Sequence, residues 1–173
     1  METKRPSLKP MYTIGHSNIP LEELISLLEE NEIEILVDVR SVPYSKYVSQ
    51  ANKETLEVAV RAKEIKYLFM VKQLGGKPDG VEIEDDHGNI NYSHLKEKSS
   101  FKEGLERLLA GANDYILCLM CSEEDPSKCY RGMLLAKEFT KRGVEMRHIR
   151  HGGEVESQQA IEERMPAAQK YLF

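Results

Sequence analysis

Cys121, Cys129 and Arg131 fall within one short stretch, Leu-Met-Cys-Ser-Glu-Glu-Asp-Pro-Ser-Lys-Cys-Tyr-Arg at 119–131. A thiol that follows a buried strand and precedes a helix holds the place of a nucleophile or an anion cradle. Backbone N–H groups and the helix dipole favour negative charge there. Arg131 adds a permanent cation with a fork suited to phosphate or carboxylate, and such a cation lowers a thiol pKa. Glu123, two residues past Cys121, is placed to orient Arg131 or to act as acid or base. The plainer alternative is a salt bridge from Arg131 to Glu123, Glu124 or Asp125. Cys129 reads as packing, a resolving thiol or a metal ligand.

Similar residues follow the other apolar runs. His16 and Ser17 follow the first, and His16 has the pKa range of a general base. Asp38 and Arg40 are two apart on the second, so they share a face; they read as an ion pair or as an anion clamp held by a carboxylate. Gly75, Gly76 and Lys77 form a loop that lets backbone approach a phosphate, without the spacing of a P-loop. His151-Gly152-Gly153 is a turn. Cys118 and Cys121 do not read as a redox or metal pair, because positions three apart on a strand point to opposite faces. Cys118 is therefore expected as a small buried hydrophobe. A metal site built from Cys121, Cys129 and His16 or His151 lacks a standard zinc spacing. Tyr12, Tyr44 and Tyr47 are expected to pack rather than to stack on bases.

The elements that must position these residues alternate in type. Residues 1–10 form an extended lead-in, and 11–173 form a single domain. Strands are expected at 11–14, 33–40, 67–71, 115–120 and 144–149. Helices are expected at about 20–30, after Asn52, from Ser100 to a C-cap at Gly111, from Arg131 to Gly143, and from Ser157 to a break at Pro166. Residues 81–98 form a polar stretch that reads as a lid or an ordinary excursion. Alternation of this kind predicts an α/β fold with a mostly parallel sheet of about five strands and helices on both faces. The carboxyl ends of parallel strands form a binding crevice, where His16-Ser17, Asp38 and Arg40, Gly75-Gly76-Lys77, Cys121-Ser122-Glu123 and His151-Gly152-Gly153 are expected to converge.

Composition sets the outer bounds. The 173 residues carry 24 Lys+Arg against 29 Asp+Glu, a net charge of −5. That balance argues against a dedicated duplex-DNA binder; nucleic acid is an allowed but disfavoured partner. No apolar run nears the ~20 residues of a membrane span, and the first residues lack a signal-peptide pattern. An odd number of cysteines without such a signal fits a reducing cytoplasm. The residues name no cofactor.

Tyr-Thr-Ile-Gly-His-Ser (12–17), Leu-Val-Asp-Val-Arg (36–40), Leu-Gly-Gly (74–76) and the 119–131 stretch resemble the domain-of-unknown-function family DUF488, over 11 to about 150. The resemblance implies an α/β domain of the bacterial and archaeal cytosol with no established activity, and matches Cys121, Glu123, Cys129 and Arg131. The family usually shows Cys-His-Arg where this chain has Cys129-Tyr130-Arg131, so a mechanism using the central His as base does not carry over. The functional expectation is a cysteine-dependent transferase or hydrolase acting on a small substrate that carries phosphate or carboxylate, such as a nucleotide, with Cys121 as nucleophile or thiolate, Arg131 and Arg40 as anion clamps and His16 or Glu123 moving the proton. Thiol phosphatases and rhodaneses share this logic, but they set Cys and Arg closer than the nine intervening residues here. A non-catalytic nucleotide or nucleic-acid binding module and a Cys/His metal site are the alternatives.

Overall fold

The computed structural model describes residues 7–75 and 93–165. Gly76, Lys77, most of the 81–98 stretch and Pro166 lie outside the described residues.

Apolar runs too short for helices make the strands β1 (Met11–Gly15), β2 (Ile35–Asp38), β3 (Lys66–Phe69), β4 (Leu117–Cys121) and β5 (Met146–Ile149). Between them lie α1 (Leu21–Glu30), α2 (Lys53–Arg61), α3 (Val71–Leu74), α4 (Ser93–Glu97), α5 (Ser99–Gly111) and α6 (Ala136–Lys141), the last preceded by a π-helical turn at Arg131–Leu135. A short strand, β6 (Val155–Ser157), and α7 (Gln158–Arg164) complete the described chain. The sheet order is β3-β2-β4-β1-β5-β6. All pairings are parallel except β5 with β6.

The expected α/β architecture is therefore present, with one strand added at the edge. β6 escapes the pattern because three residues, Val155-Glu156-Ser157, give no period to read. Val71 turns into α3 rather than extending β3. Gly111 is the last residue of α5, not its cap, and the next residue, Ala112, keeps helical angles. Asn52 precedes α2 but does not cap it; its Oδ1 accepts from the Ser45 N–H at 2.7 Å. Ser157 does cap α7, accepting from the Ala160 N–H.

Side-chain alternation divides the core. Leu24, Leu28, Leu56 and Val60 of α1 and α2 pack with Ile14, Leu36, Cys118 and Met120 on one face. Phe101, Leu105, Leu134, Phe139 and Ile161 pack with Met11, Val37, Leu119 and Cys121 on the other. Cys118 and Cys121 thus point to opposite faces, as strand geometry requires. Each fully buried Leu, Ile or Phe contributes about 1.5–3 kcal/mol.

Candidate functional site

Strand order locates the site. From β2 the chain turns toward β3 at one edge; from β4 it turns toward β5 on the other side. Adjacent parallel strands whose connections diverge leave a crevice at their carboxyl ends. A cleft of about 270 Å³ lies there, lined by Arg40, Ser41 and Val42 after β2 and by Cys121, Ser122, Glu123, Cys129 and Tyr130 after β4. A larger cavity of about 520 Å³ runs from Arg61 to Leu68 along edge strand β3. It holds no thiol or imidazole, so the chemistry favours the smaller cleft.

Two sulfurs and a guanidinium form its floor. Cys121 Sγ lies 2.6 Å from Cys129 Sγ and 2.8 Å from Arg131 Nη1. Arg131 is 0% exposed. Its Nη1 also donates to the Glu123 carbonyl at 2.5 Å, its Nη2 to the Glu124 carbonyl at 2.9 Å, and its Nε to Thr13 Oγ1 at 3.1 Å. No ion pair to a carboxylate forms at Arg131 among the described residues, so the thiols are the ionisable groups that can balance its charge. The contact with Cys121, joined by the Arg131 charge, lowers the Cys129 pKa to about 7. Burial pushes Cys121 up. The two therefore ionise as one unit beside the Arg131 charge. Cys118, buried on the opposite face, is also pushed up by burial.

The loop 121–124 reaches Arg131 only because β1 ends in glycine. A Cβ on Gly15 would lie 1.6 Å from the Glu123 carbonyl oxygen. The chain beyond β1 follows that loop: the His16 N–H donates to the Cys121 carbonyl and the Ser17 N–H to the Ser122 carbonyl. Ser17 adopts φ 42°, a left-handed conformation that non-glycine residues rarely take.

Behind Arg131 runs a chain of oriented hydrogen bonds. Thr13 Oγ1 lies 2.6 Å from His148 Nδ1, and His148 Nε2 lies 2.7 Å from Gln158 Oε1. Gln158 Nε2 donates to the Gly132 carbonyl, so its oxygen must face His148 and accept from Nε2–H. His148 Nδ1 is then the acceptor for the Thr13 hydroxyl, leaving the Thr13 oxygen to accept from Arg131. The chain fixes the guanidinium from behind. Burial, the largest influence, lowers the His148 pKa to about 4.

A base whose pKa is depressed on folding takes up protons first in the unfolded chain. Its contribution is intact above the unfolded value and is lost as pH falls toward the folded one. Between pH 7 and pH 5 His148 should therefore cost the fold about 2 kcal/mol. Urea unfolding at both pH values should show this loss in the wild type, and His148→Gln should reduce it by that amount. Parallel pH slopes in the two proteins would refute a buried neutral imidazole.

The second charged group sits on the α1/α2 face. Asp38 holds Arg40 through Nε at 2.9 Å and Nη2 at 2.7 Å, and Tyr67 Oη donates to Asp38 Oδ2 at 2.5 Å. Arg40 Nη1 donates to the Ala51 carbonyl at 2.7 Å and to His16 Nε2 at 3.2 Å. His16 Nδ1–H donates to the Ser17 carbonyl. Burial, joined by the Arg40 charge, holds the His16 pKa below its ordinary value. His16 is thus neutral, with its lone pair directed at Arg40.

Among the sequence-derived candidates, Cys121, Cys129 and Arg131 are in direct contact, and Arg40 faces them across the cleft. Arg131 is bound to loop carbonyls and sulfur rather than to the carboxylates of Glu123, Glu124 or Asp125. Glu123 contributes its carbonyl, and its side chain is exposed. Gly75 ends α3 and is buried. His16 turns to Arg40, and His151 Nε2 lies 2.6 Å from the Gly15 carbonyl, so neither joins the sulfurs. Among the described residues no group of three or more His, Cys, Asp or Glu could hold a metal. Tyr12 packs in the core, but Tyr47 is 83% exposed. Thr13, His148 and Gln158 were not singled out from sequence; a Thr and a His inside apolar strands were the available signal. Glu124, one of the carboxylates offered to Arg131, instead forms a bidentate pair with Arg150 at 2.8 and 2.7 Å; Arg150 gave no sequence signal. The single Tyr130 O–H points between the carbonyls of Val39 and Leu74, so Tyr130 ties the end of β2 to α3.

No helix among the described residues is long and apolar enough to cross a membrane. No curated protein and no solved structure matches the chain. The model of the family described as domain of unknown function DUF488 matches residues 20–137. The match takes in β2, β4, the Cys121–Cys129 pair and Arg131, and the chain belongs to that family.

Proposed function

We propose that the protein is a cysteine-dependent enzyme whose reactive centre is the Cys121–Cys129 pair, acting by transfer or hydrolysis on a small anionic substrate in the β2/β4 cleft. The contact of the two sulfurs with each other and of Cys121 with buried Arg131, at a strand-divergence crevice, supports this reading. Cys129 is the nucleophile, being the thiol whose ionised form is favoured. Cys121 shares its proton. Arg131 holds the charge in place, and Arg40, on the opposite wall, attracts the anionic group.

Alkylation of each cysteine against pH, read by mass spectrometry, tests this. Cys129 should react with a midpoint near 7, Cys121 only at higher pH, and Cys118 not while the protein is folded. Inorganic phosphate or a nucleoside monophosphate should protect Cys129. If all three titrate together near the ordinary ~8.5, the nucleophile assignment fails.

A second reading, a nucleotide-binding module using the same cleft without chemistry, draws on the segment after Arg40. Val42, Tyr44 and Tyr47 are exposed there, and Lys46 Nζ lies 4.9 Å from the Tyr47 ring centroid. An exposed ring of this kind can stack on a base. Under this reading Cys129→Ser keeps ligand affinity; under the catalytic reading the same variant abolishes turnover.

A further inference from the structure

We infer that Cys121 and Cys129 act as a two-electron dithiol/disulfide couple that reduces a small hydroperoxide in the β2/β4 cleft. The inference rests on the reading of this pair as the reactive centre and goes beyond the transfer or hydrolysis of an anionic substrate: the reaction is a reduction and the substrate a neutral peroxide.

Three observations carry it. First, the sulfurs already touch, so bonding them needs no movement of β4 or of the π-helical turn at Arg131–Leu135. A nucleophile acting alone has no use for a second thiol in contact with it; a resolving step requires one. Second, the cleft at about 270 Å³ falls below the ~300–1,000 Å³ of sites for drug-sized ligands. A hydroperoxide fits with room for water. Third, Arg131 is bonded to four groups of the protein. It is poorly placed to clamp a bulky phosphate but well placed to hold a thiolate beside a departing oxygen. Both cysteines are buried, Cys129 at 7% exposure and Cys121 at 3%, and both line the cleft.

The chemistry balances. The Cys129 thiolate attacks one peroxide oxygen; an S–O bond forms, the O–O bond breaks, and hydroxide or alkoxide leaves and takes a proton from water. The Cys121 sulfur then attacks the Cys129 sulfenic acid. The S–S bond forms, the S–O bond breaks, and the hydroxyl leaves as water with the Cys121 proton. A small dithiol returns two electrons and two protons to restore both thiols. The peroxide is reduced and the cysteine pair is oxidised.

The test uses the reduced full-length protein and one equivalent of hydrogen peroxide at neutral pH, followed by digestion without reductant and mass spectrometry. The expected product has lost two hydrogens, carries a Cys121–Cys129 linked peptide pair, and returns to two thiols with dithiothreitol. Half ionisation at neutral pH should make Cys129 react about tenfold faster than free cysteine. In Cys121→Ser the reaction should stop at a Cys129 sulfenic acid that a cyclic 1,3-diketone traps, and Cys118→Ala should keep the wild-type rate. A disulfide through Cys118, no disulfide at all, or loss of thiols at the rate of free cysteine overturns the couple. If Cys129 alkylates with a low midpoint yet forms no disulfide, the thiol enzyme stands and the couple falls. If the disulfide forms quickly but phosphate gives no protection, the couple stands and the anionic-substrate reading falls.

Discussion

Replacing Arg131 by lysine should destabilise the protein by about 3 kcal/mol and raise the alkylation midpoint of Cys129. The side chain is wholly buried and bonds Thr13, Cys121 and the carbonyls of Glu123 and Glu124 from one planar group. A lysine ammonium keeps the charge but has three donors on one atom, which cannot reach acceptors spread around a guanidinium. Buried acceptors left without a donor cost about 1–3 kcal/mol each. The loop 121–124 would be released on its inner side, and the sulfur pair would lose the cation that favours its ionised form. Urea denaturation should show the midpoint falling with an unchanged slope. Alkylation should show Cys129 moving toward or above the free-thiol value. A variant within 1 kcal/mol of wild type, with Cys129 still titrating near 7, would mean that the guanidinium governs neither the loop nor the thiols.

The same contacts explain what was legible in the sequence. Alternation of short apolar runs with amphipathic segments is a local signal, and it was enough for a parallel sheet covered on both faces. It also placed Cys118 and Cys121 on opposite faces, because strand pleating leaves no alternative. Strand order is not local: nothing in 115–121 says that β4 inserts between β1 and β2. That insertion brings Arg40 and Cys121 to one cleft and places Thr13 behind Arg131. The roles of the arginines were visible only as residue types. Whether Arg131 meets side-chain carboxylates or main-chain carbonyls depends on the path of 121–124, which is set by the close approach at Gly15. Nor did the sequence suggest that the Cys129 pKa is lowered, since that depends on its contact with Cys121 and on the buried Arg131 charge.

The Asp38–Arg40 pair stands apart from the sulfurs in construction but has comparable weight in stability. Asp38 is 0% exposed and accepts from the Arg40 N–H, Nε and Nη2 and from Tyr67 Oη. Asparagine at this position keeps the shape but turns one acceptor into a donor and removes the negative charge. The Arg40 guanidinium would then be buried without a counter-ion, and one of its N–H groups would face another donor. Removing one partner of a buried pair costs about 3–5 kcal/mol, so Asp38→Asn should lower the unfolding free energy by that amount in urea. Glutamate does not repair the loss, because its extra methylene pushes the carboxylate into Tyr67 and the Met120 layer beside it. The effect should also reach the cleft. The Asp38 charge favours protonation of His16 while the Arg40 charge opposes it, so removing the carboxylate should lower the His16 pKa further. An NMR titration of His16 in the variant should show that fall. A loss under 1 kcal/mol, with His16 titrating as in wild type, would show that Arg40 is held by the loop carbonyl rather than by the carboxylate. The cation on that wall of the cleft would then owe its position to residues 49–51 instead of to the end of β2.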